Sequence, residues 1–493
     1  MNRTESLARL SDSSEQWDVI VIGGGATGLG TAVDAAARGY RTVLLEQADF
    51  AEGTSSRSTK LVHGGVRYLR GGEIGLVRES LRERGRLLKN APDLVKPLAF
   101  VVPAYRWYER FFYGTGLTLY DALAGHLGIH STEHLSSTDT SLEVPNLKSD
   151  GLYGSTLYWD GQFDDARLAV AMARTATEKG AVVLNHMGVT ELIKKGEKMS
   201  GVIAKDGISG EEYQIEAKVI VNATGVFSDK VRRLDEPQAG ERIHPSQGIH
   251  IVLDGDFLGG GTAIMIPNTD DGRVLFAIPW HNRVLLGTTD TGDVPIEINP
   301  QPREDEIEYL LEHAGRYLTK KPKRSDIRAS FAGLRPLVSA PGKGSDTSKI
   351  SRTHSLTVSE SGLVTIAGGK WTTYRQMAED TVDRAAEVGG LEIQPCSTAD
   401  LILLCQGYEG PALSEKTELL DPDLPYTLED AERAVRDEMA MTLPDAMNRR
   451  MRCTFLDDAA TQRCAEKVAR LMATELGRDE SWIGEQLKLL QSE

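Results

Sequence analysis

Two short apolar runs near the start of the chain, separated by residues at helical spacing, predict two strands joined by a helix. Trp17–Ile22 is a short run that is apolar and mostly β-branched apart from Asp18, and it leads directly into a glycine-rich turn over 23–28. Small residues at helical spacing follow over 29–38, and 41–45 is a second apolar run with Glu46 at its end. Strand, turn, helix and strand in this order predict a βαβ unit.

Two later parts of the chain carry the same strand pattern. One spans 181–225 and closes with Asn-Ala-Thr-Gly, and the other, 363–367, runs into Gly368-Gly369 and a helical pattern over 372–388. We therefore predict an α/β fold in which a Rossmann-like nucleotide-binding domain is assembled from three chain segments. The segments of this predicted domain are 17–95, 151–225 and 336–395.

The parts of the chain outside these three segments differ from them in composition and in hydrophobic pattern, and they predict two further domains. Residues 96–150 look loop-rich and aromatic, and 226–335 show alternating strand patterns with Gly and Pro turns. Together they predict an α+β substrate-binding domain with an antiparallel sheet. Helix-forming residues and a cap at Thr427 dominate the end of the chain, which predicts a separate α-helical C-terminal domain over 396–493.

Composition and charge limit the partners, the location and the cofactors that we expect for the protein. The 493 residues are 40% hydrophobic and 26% charged, as in a folded protein, and the net charge of −16 disfavours nucleic-acid binding. No apolar run reaches the ~18 residues of a membrane-spanning helix, and the first sixteen residues lack a signal-peptide core, so we expect a cytoplasmic location. The four cysteines have no metal-ligand spacing, so we expect no metal and an organic redox cofactor.

The glycine-rich turn is the first motif that carries chemistry. Gly23, Gly25 and Gly28 form GxGxxG between a strand and a helix, and Glu46 follows 21 positions after Gly25. Such a loop brings backbone N–H groups close to a diphosphate, while the acidic residue accepts a hydrogen bond from a ribose hydroxyl. The later glycine turns at two other strand ends favour FAD over NAD, because FAD is long enough to need contacts from distant segments.

Residues 54–69, with the sequence TSSRSTKLVHGGVRYL, resemble the signature of FAD-dependent glycerol-3-phosphate dehydrogenases, which belong to the D-amino-acid-oxidase-like flavoprotein superfamily. Similar stretches continue in register from residue 17 to about 491. They are WDG at 159–161, DDARL at 164–168, VNATG at 221–225, IPW at 278–280, LGTTD at 286–290, GLRPL at 333–337 and GGKWTTYR at 368–375.

The resemblance implies an activity and a set of partners. It implies oxidation of sn-glycerol 3-phosphate at C2 to dihydroxyacetone phosphate, with FAD held non-covalently and electrons passed to a membrane quinone. It also implies a homodimer attached peripherally to the cytoplasmic face of a membrane. An oxidase that uses oxygen, or another flavoenzyme of the superfamily, is the alternative. A non-catalytic flavin-binding subunit is disfavoured because the expected basic residues are all present.

The motifs and the resemblance together assign site residues. The expected FAD-binding residues are Gly23, Gly25, Ala26, Thr27, Gly28, Glu46, Thr54, Ser55, Ser56, Lys60, His63, Gly64, Val189, Thr224, Gly225, Gly369, Lys370, Thr372 and Thr373. The expected substrate-binding residues are Arg67, Tyr68, Arg335, Arg352 and Lys370. The expected catalytic residues are His250, Arg335 and Lys370. Either His250 accepts the hydroxyl proton or Arg335 stabilises the alkoxide, and Arg57 either reaches the FAD diphosphate or points to solvent.

The stretch 100–120 holds 8 of the 30 aromatic residues of the chain, interleaved with two arginines. Aromatic side chains mixed with arginines are typical of a monotopic membrane anchor, and an aromatic core or subunit contact is the equal alternative.

Overall fold

The computed structural model describes residues 1–12, 16–270, 272–338, 353–405 and 418–492. The strands of this part of the chain are β1 (Trp17–Ile22), β2 (Thr42–Leu45), β3 (Leu61–Val62), β4 (Val95–Ala104), β5 (Glu133–Leu135), β6 (Gly154–Phe163), β7 (Val182–Leu184), β8 (Met187–Lys195), β9 (Lys198–Asp206), β10 (Glu212–Asn222), β11 (Ile243–Asp254), β12 (Ala263–Ile266), β13 (Leu275–Trp280), β14 (Arg283–Gly287), β15 (Thr291–Gly292), β16 (Ala329–Val338), β17 (His354–Val358) and β18 (Val364–Gly368). The helices are α1 (Arg3–Ser11), α2 (Ala26–Ala37), α3 (Arg67–Arg70), α4 (Ile74–Asn90), α5 (Trp107–Ala124), α6 (Ser137–Glu143), α7 (Asp165–Glu178), α8 (Ser228–Asp235), α9 (Glu304–Tyr317), α10 (Tyr374–Gly389), α11 (Leu428–Arg436), α12 (Cys453–Leu456), α13 (Asp458–Leu476) and α14 (Glu480–Ser492).

The first sheet is built around β1, which is buried at all six positions. It pairs in parallel with β2 and β10, and β10 pairs in parallel with β18. Parallel strands are covered on both faces, which explains why β1 is apolar at five of its six positions, all except Asp18. The carboxyl ends of β1, β10 and β18 therefore meet at one edge of the sheet. The predicted α/β fold class is confirmed.

The second sheet is mostly antiparallel and runs in the order β15-β11-β14-β13-β12-β4-β6-β3, with β16 paired to β11. Strand β6 differs from the predicted domain limits, because the boundary at residue 151 places it with the nucleotide-binding segments. It instead pairs with β4 over all ten of its residues, from Gly154 to Phe163. The chain returns to the first sheet only at α7.

The segment 96–150, predicted to be loop-rich, instead contains β4, α5 and α6. In α5 the buried positions are Gly114, Leu117, Tyr120 and Ala124, which have helical spacing. The helix also carries large aromatic residues on its solvent face, and these mask the amphipathic pattern that identifies a surface helix in a sequence. The prediction of loops here was wrong for that reason.

The C-terminal region is helical, as predicted, and it packs on both sheets. Its apolar side chains share one core cluster with the second sheet. A buried group of ion pairs joins it to the first sheet, since Asp49 accepts hydrogen bonds from Arg449 Nε (2.7 Å) and Arg450 Nη2 (2.9 Å). Arg167 and Glu438 form a second buried pair with two contacts of 2.7 and 2.8 Å. Across the described ranges, no helix is both long and apolar enough to cross a membrane.

Candidate active site

A cavity of about 450 Å³ lies between the two sheets. Its walls come from the turns at the carboxyl ends of β1, β10 and β18 and from the strands β11 and β16. Most of the predicted site residues line this cavity, although they are up to 350 positions apart in sequence. Sheet topology brings them together.

The glycine turn forms one end of the cavity. Gly23 has a φ of +111°, and a Cβ there would lie 2.7 Å from the carbonyl oxygen of Ala223. A Cβ at Gly28 would collide with the carbonyl oxygen of Gly23. The helix α2 begins right after this turn, and its N-cap residue is Gly25, which has no side chain. The backbone N–H of Ala26, the first residue of the helix, donates to the Ser55 hydroxyl (2.9 Å). This close-packed turn at a helix N-terminus fits the diphosphate of a dinucleotide.

Glu46 lies at the end of β2 and faces the same part of the cavity. Its carboxylate accepts hydrogen bonds from the backbone N–H of Gly24 (2.5 Å) and of Ala48 (2.9 Å). Burial raises the pKa of Glu46 to about 7, and the two N–H donors oppose part of that rise. The carboxyl group is thus poised to change its charge near neutral pH.

The turn after β18 forms another wall. The Lys370 ammonium lies 4.0 Å from the centroid of the Tyr68 ring, a cation–π contact. The Trp371 indole donates to the carbonyl oxygen of Ser55 (2.8 Å), and the Thr372 hydroxyl accepts from the backbone N–H of His63 (3.1 Å). These contacts join the third chain segment of the nucleotide-binding domain to the first.

His250 lies in the middle of β11 and is only 2% exposed. Its Nε2 is 2.9 Å from the Thr59 hydroxyl, and its ring stacks on Phe331 with centroids 5.0 Å apart. Among the described residues, its Nδ1 has no hydrogen-bond partner. Burial, with the nearby positive charges of Lys60 and Arg335, holds the pKa of His250 well below its usual value. The imidazole is therefore neutral and able to accept a proton.

Arg335 lies on β16, next to β11. Its guanidinium donates to the carbonyl oxygens of Gln247 (3.2 Å) and Thr289 (2.9 Å) and to the Thr288 hydroxyl (3.1 Å). The neighbouring Gly248 leaves room for it, because a Cβ at that position would collide with the guanidinium. The charge of Arg335 is thus fixed in direction at the cavity wall.

Comparison with known proteins places this geometry in a family. Residues 18–375 match the FAD-dependent oxidoreductase family, and residues 364–482 match the C-terminal domain of alpha-glycerophosphate oxidase. The chain is 38% identical to the mitochondrial glycerol-3-phosphate dehydrogenase of Homo sapiens, over 99% of this chain and 74% of that protein. The chain belongs to the family of FAD-dependent glycerol-3-phosphate dehydrogenases. FAD is its cofactor, as the sequence predicted.

Solved structures agree with this family assignment. The glycerol-3-phosphate dehydrogenase of Bacillus halodurans, complexed with FAD, superposes with a TM-score of 0.78 at 29% identity, covering 99% of this chain and 96% of that one. The L-alpha-glycerophosphate oxidase of Mycoplasma pneumoniae superposes with a TM-score of 0.60 at 16% identity, covering 79% of this chain and 98% of that one. The second likeness shows a shared fold.

Most predicted site residues of this dehydrogenase family member line the cavity, and several do not. The lining residues are Gly23, Gly25, Ala26, Thr27, Glu46, Thr54, Ser55, His63, Tyr68, Val189, Thr224, Gly225, His250, Arg335, Gly369, Lys370 and Thr372. The predicted residues that lie behind the lining are Gly28, Ser56, Lys60, Gly64 and Thr373. Arg352 and the side chain of Arg67 lie outside the described part of the chain. The roles assigned to all of these residues stay predictions.

Two basic residues near the cavity have surroundings that differ from those expected. Lys60 is fully buried, and its ammonium lies 2.6 Å from an Asp165 oxygen, so its side chain is directed away from the cavity. Burial lowers the pKa of Lys60 to about 7, against the opposing charge of Asp165. Of the two alternatives for Arg57, exposure to solvent is wrong, because Arg57 is buried, and contact with the FAD diphosphate stays a prediction. Arg57 lines the cavity, and its guanidinium lies over the Phe455 ring at 5.6 Å.

Some residues at the site were not predicted to act there. Thr59 bonds His250, Thr288 bonds Arg335, and Phe331 stacks on the imidazole. Thr59 was visible in the sequence only as a hydroxyl residue inside the flavin signature. Phe331 gives no local signal, because its role depends on the pairing of β11 with β16, which sets it opposite His250.

Proposed function

We propose that this protein oxidises sn-glycerol 3-phosphate to dihydroxyacetone phosphate and passes the electrons to a membrane quinone. One observation carries the proposal, namely that Arg335, Lys370 and His250 line a single cavity with the glycine turn of a dinucleotide site. Two cations suit a phosphate dianion, and a neutral imidazole suits a hydroxyl proton. The names of the relatives support the same substrate.

The residues around the glycine turn fit FAD. The backbone at Gly23, Gly25 and Ala26 would hold the diphosphate, and the Glu46 carboxylate would accept a hydrogen bond from a ribose hydroxyl. Thr372, just before α10, lies on the opposite wall with Lys370. When bound, FAD supplies the acceptor for the hydride that leaves C2 of the substrate.

His250 and Arg335 divide the remaining work at C2. The secondary alcohol loses a hydride and its hydroxyl proton together, which gives the ketone of dihydroxyacetone phosphate. The neutral imidazole of His250 takes the proton, and the fixed charge of Arg335 stabilises the oxygen as that proton leaves. Because the pKa of His250 is low, it is a weak base, and it depends on Arg335 to make the hydroxyl more acidic.

The exposed aromatic face of α5 supports contact with a membrane, where a quinone is dissolved. Trp107 and Phe111 are 76% and 77% exposed, and Phe112 lies beside them at 62%. Rings of this size seldom face water together in a soluble protein. We propose that α5 lies in the interface of the cytoplasmic leaflet, with its rings below the headgroups.

An oxidase that returns electrons to oxygen is the second candidate, because the C-terminal domain matches a family named after such an enzyme. The test mixes the purified holoenzyme with sn-glycerol 3-phosphate without oxygen and follows the visible absorbance of the flavin. We expect bleaching that a soluble quinone analogue reverses quickly and oxygen reverses slowly. Fast reoxidation by oxygen with peroxide formation establishes the oxidase instead, and no bleaching contradicts the substrate.

A further inference from the structure

None of the described residues of the helical C-terminal domain lines the cavity, yet this domain supports His250, which does line it. His250 lies between two neighbours on adjacent strands, Gly287 of β14 and Phe331 of β16. A Cβ at Gly287 would collide with the imidazole, and the Phe331 ring stacks on it at an angle of 21°. The imidazole of His250 thus touches the backbone of Gly287 on one side, and the orientation of the imidazole depends on Phe331.

Phe331 is held in turn by the C-terminal domain. The Phe455 ring of α12 packs against it with centroids 4.7 Å apart, and both side chains are buried. The Arg452 guanidinium covers the Phe455 ring at 4.2 Å. Arg452, Phe455 and Phe331 therefore form a continuous chain of side-chain contacts that ends at the His250 imidazole.

Arg452 is anchored on the nucleotide-binding side of the molecule. Its Nη2 donates to the carbonyl oxygen of Ser56 (2.8 Å) and to Asp165 (3.1 Å). Asp165 also bonds the Lys60 ammonium, and Lys60 follows Thr59, whose hydroxyl contacts His250 Nε2. Two routes thus connect Arg452 with the imidazole, one through rings and one through hydrogen bonds.

We propose that the C-terminal domain completes the active site, with Phe455 as a positioning residue that fixes the His250 imidazole through Phe331. This inference rests on the proposed function, in which His250 takes the hydroxyl proton. Phe455 is not among the residues that line the cavity, so it acts through Phe331. Its removal lets Phe331 tilt into the vacated space, and the imidazole then loses the orientation that the reaction needs.

The test compares Phe455→Ala, the ring-retaining Phe455→Tyr and a control, Met472→Ala, at another buried position of the same domain. The rate constant of anaerobic flavin bleaching is measured per bound FAD at saturating substrate. We expect Phe455→Ala to lose about tenfold to hundredfold in this rate with little change in KM. We expect Phe455→Tyr to retain most of the wild-type bleaching rate. We expect Met472→Ala to lower thermal stability without changing the bleaching rate. Equal rates for Phe455→Ala and wild type overturn the proposal, as does an equal loss in Met472→Ala.

A second measurement needs no substrate, so it separates this inference from the proposed function. NMR of histidine-labelled holoenzyme follows the titration of His250, assigned by comparison with His250→Asn. Lys60 and Arg335 are the charged groups that lower the pKa of its ring, together with burial. We expect the pKa of His250 to rise towards its usual value in Phe455→Ala, or in Phe455→Leu if the first variant does not fold. An unchanged titration contradicts the proposal, whatever the substrate is.

Discussion

Two buried ionisable groups line the cavity, and burial moves their pKa values in opposite directions. Burial raises the pKa of Glu46 to about 7 and lowers the pKa of His250 well below its usual value. Both shifts favour the neutral form, since a low dielectric disfavours charge. Lys370 and Arg335 then supply the positive charge that faces an anionic substrate. Asp290 lies 3.5 Å from Arg335 and balances part of this charge.

Lys370 gives the first test at the scale of single residues. We expect Lys370→Ala to lose about 10²- to 10³-fold in kcat/KM, because a fixed cation at the cavity wall is removed. The visible spectrum of the bound flavin stays as in wild type. Steady-state kinetics with a quinone analogue measures this loss in kcat/KM. The control is Lys195→Ala, because Lys195 is exposed and, among the described residues, forms an ion pair only with Glu216. Wild-type turnover in Lys370→Ala shows that the site is wrongly placed.

Glu46 predicts how FAD binding depends on pH. The ionised carboxylate is the better acceptor for a ribose hydroxyl, so we expect the apoprotein to bind FAD up to about tenfold more tightly at pH 8 than at pH 6. The affinity rises with pH because FAD binding lowers the raised pKa of Glu46 and releases a proton. Quenching of FAD fluorescence measures the dissociation constant. Glu46→Gln removes the titrating group, so a variant that keeps the same pH step rules out this role.

Residues inside motifs were predictable from the sequence, and residues that act across the fold were not. Gly23, Glu46 and Lys370 each follow a strand, and strand ends of a parallel sheet meet at one edge, so their convergence follows from local pattern. Thr59 and Phe455 act on His250 only through contacts between distant segments. No periodicity or spacing encodes such contacts before the pairing of β11, β16 and α12 is known.

At the scale of elements, the first βαβ unit depends on a single close contact. Gly28 lies where a Cβ would collide with the carbonyl oxygen of Gly23, and that carbonyl belongs to the turn at which we propose that the diphosphate binds. We expect Gly28→Ala to push α2 away from the turn and to abolish retention of FAD during purification. The control is Gly116→Ala in α5, where a Cβ meets nothing within 4 Å. It should keep FAD and stabilise the helix slightly, by about 0.5–1 kcal/mol. Normal FAD content in Gly28→Ala contradicts this account.

The helix α5 shows why some elements escaped prediction while others did not. The strand β1 is apolar at every position except Asp18 and is followed directly by glycines, so its type and its end are plain in the sequence. In α5, by contrast, Trp107 and Phe111 lie on the outer face. The apolar stripe on the buried face therefore cannot be distinguished in the sequence from the outer face. The signal was lost because both faces carry large apolar side chains.

The outer face of α5 predicts membrane binding that is separable from catalysis. We expect the double variant Trp107→Ser, Phe111→Ser to lose most of its binding to lipid vesicles, because two large apolar side chains no longer enter the interface. Turnover with a soluble quinone analogue stays unchanged. Co-flotation with vesicles measures the bound fraction, and Leu142→Ser is the control, a leucine equally exposed on α6. If the double variant binds vesicles as wild type does, α5 is not the contact surface.

At the scale of the whole molecule, the C-terminal domain is joined to the first sheet by buried charge as well as by apolar packing. Asp49 lies just after the first βαβ unit, and Arg449 and Arg450 reach it from the C-terminal side. Asp445 and His186 form a further pair at 2.8 Å in the same group. Burial lowers the pKa of His186, but the charges of Asp445 and Asp49 outweigh it and raise that pKa overall. The contribution of this pair to stability is therefore full below the ordinary pKa of histidine and is lost as pH rises through the raised value.

The buried pairs predict a large energetic difference from ion pairs at the surface. In Asp49→Asn, two buried guanidinium groups lose their shared counter-charge, and we expect the free energy of unfolding to fall by about 3–5 kcal/mol. In the control, Asp305→Asn, only an exposed pair with Arg303 is lost, which costs less than about 1 kcal/mol. Denaturant unfolding of the holoenzyme, followed by flavin fluorescence and by circular dichroism, measures both variants. If the C-terminal domain holds the nucleotide-binding domain through these charges, Asp49→Asn also releases FAD at a lower denaturant concentration. Equal unfolding of the two variants would place the stabilising contacts in the apolar interface alone.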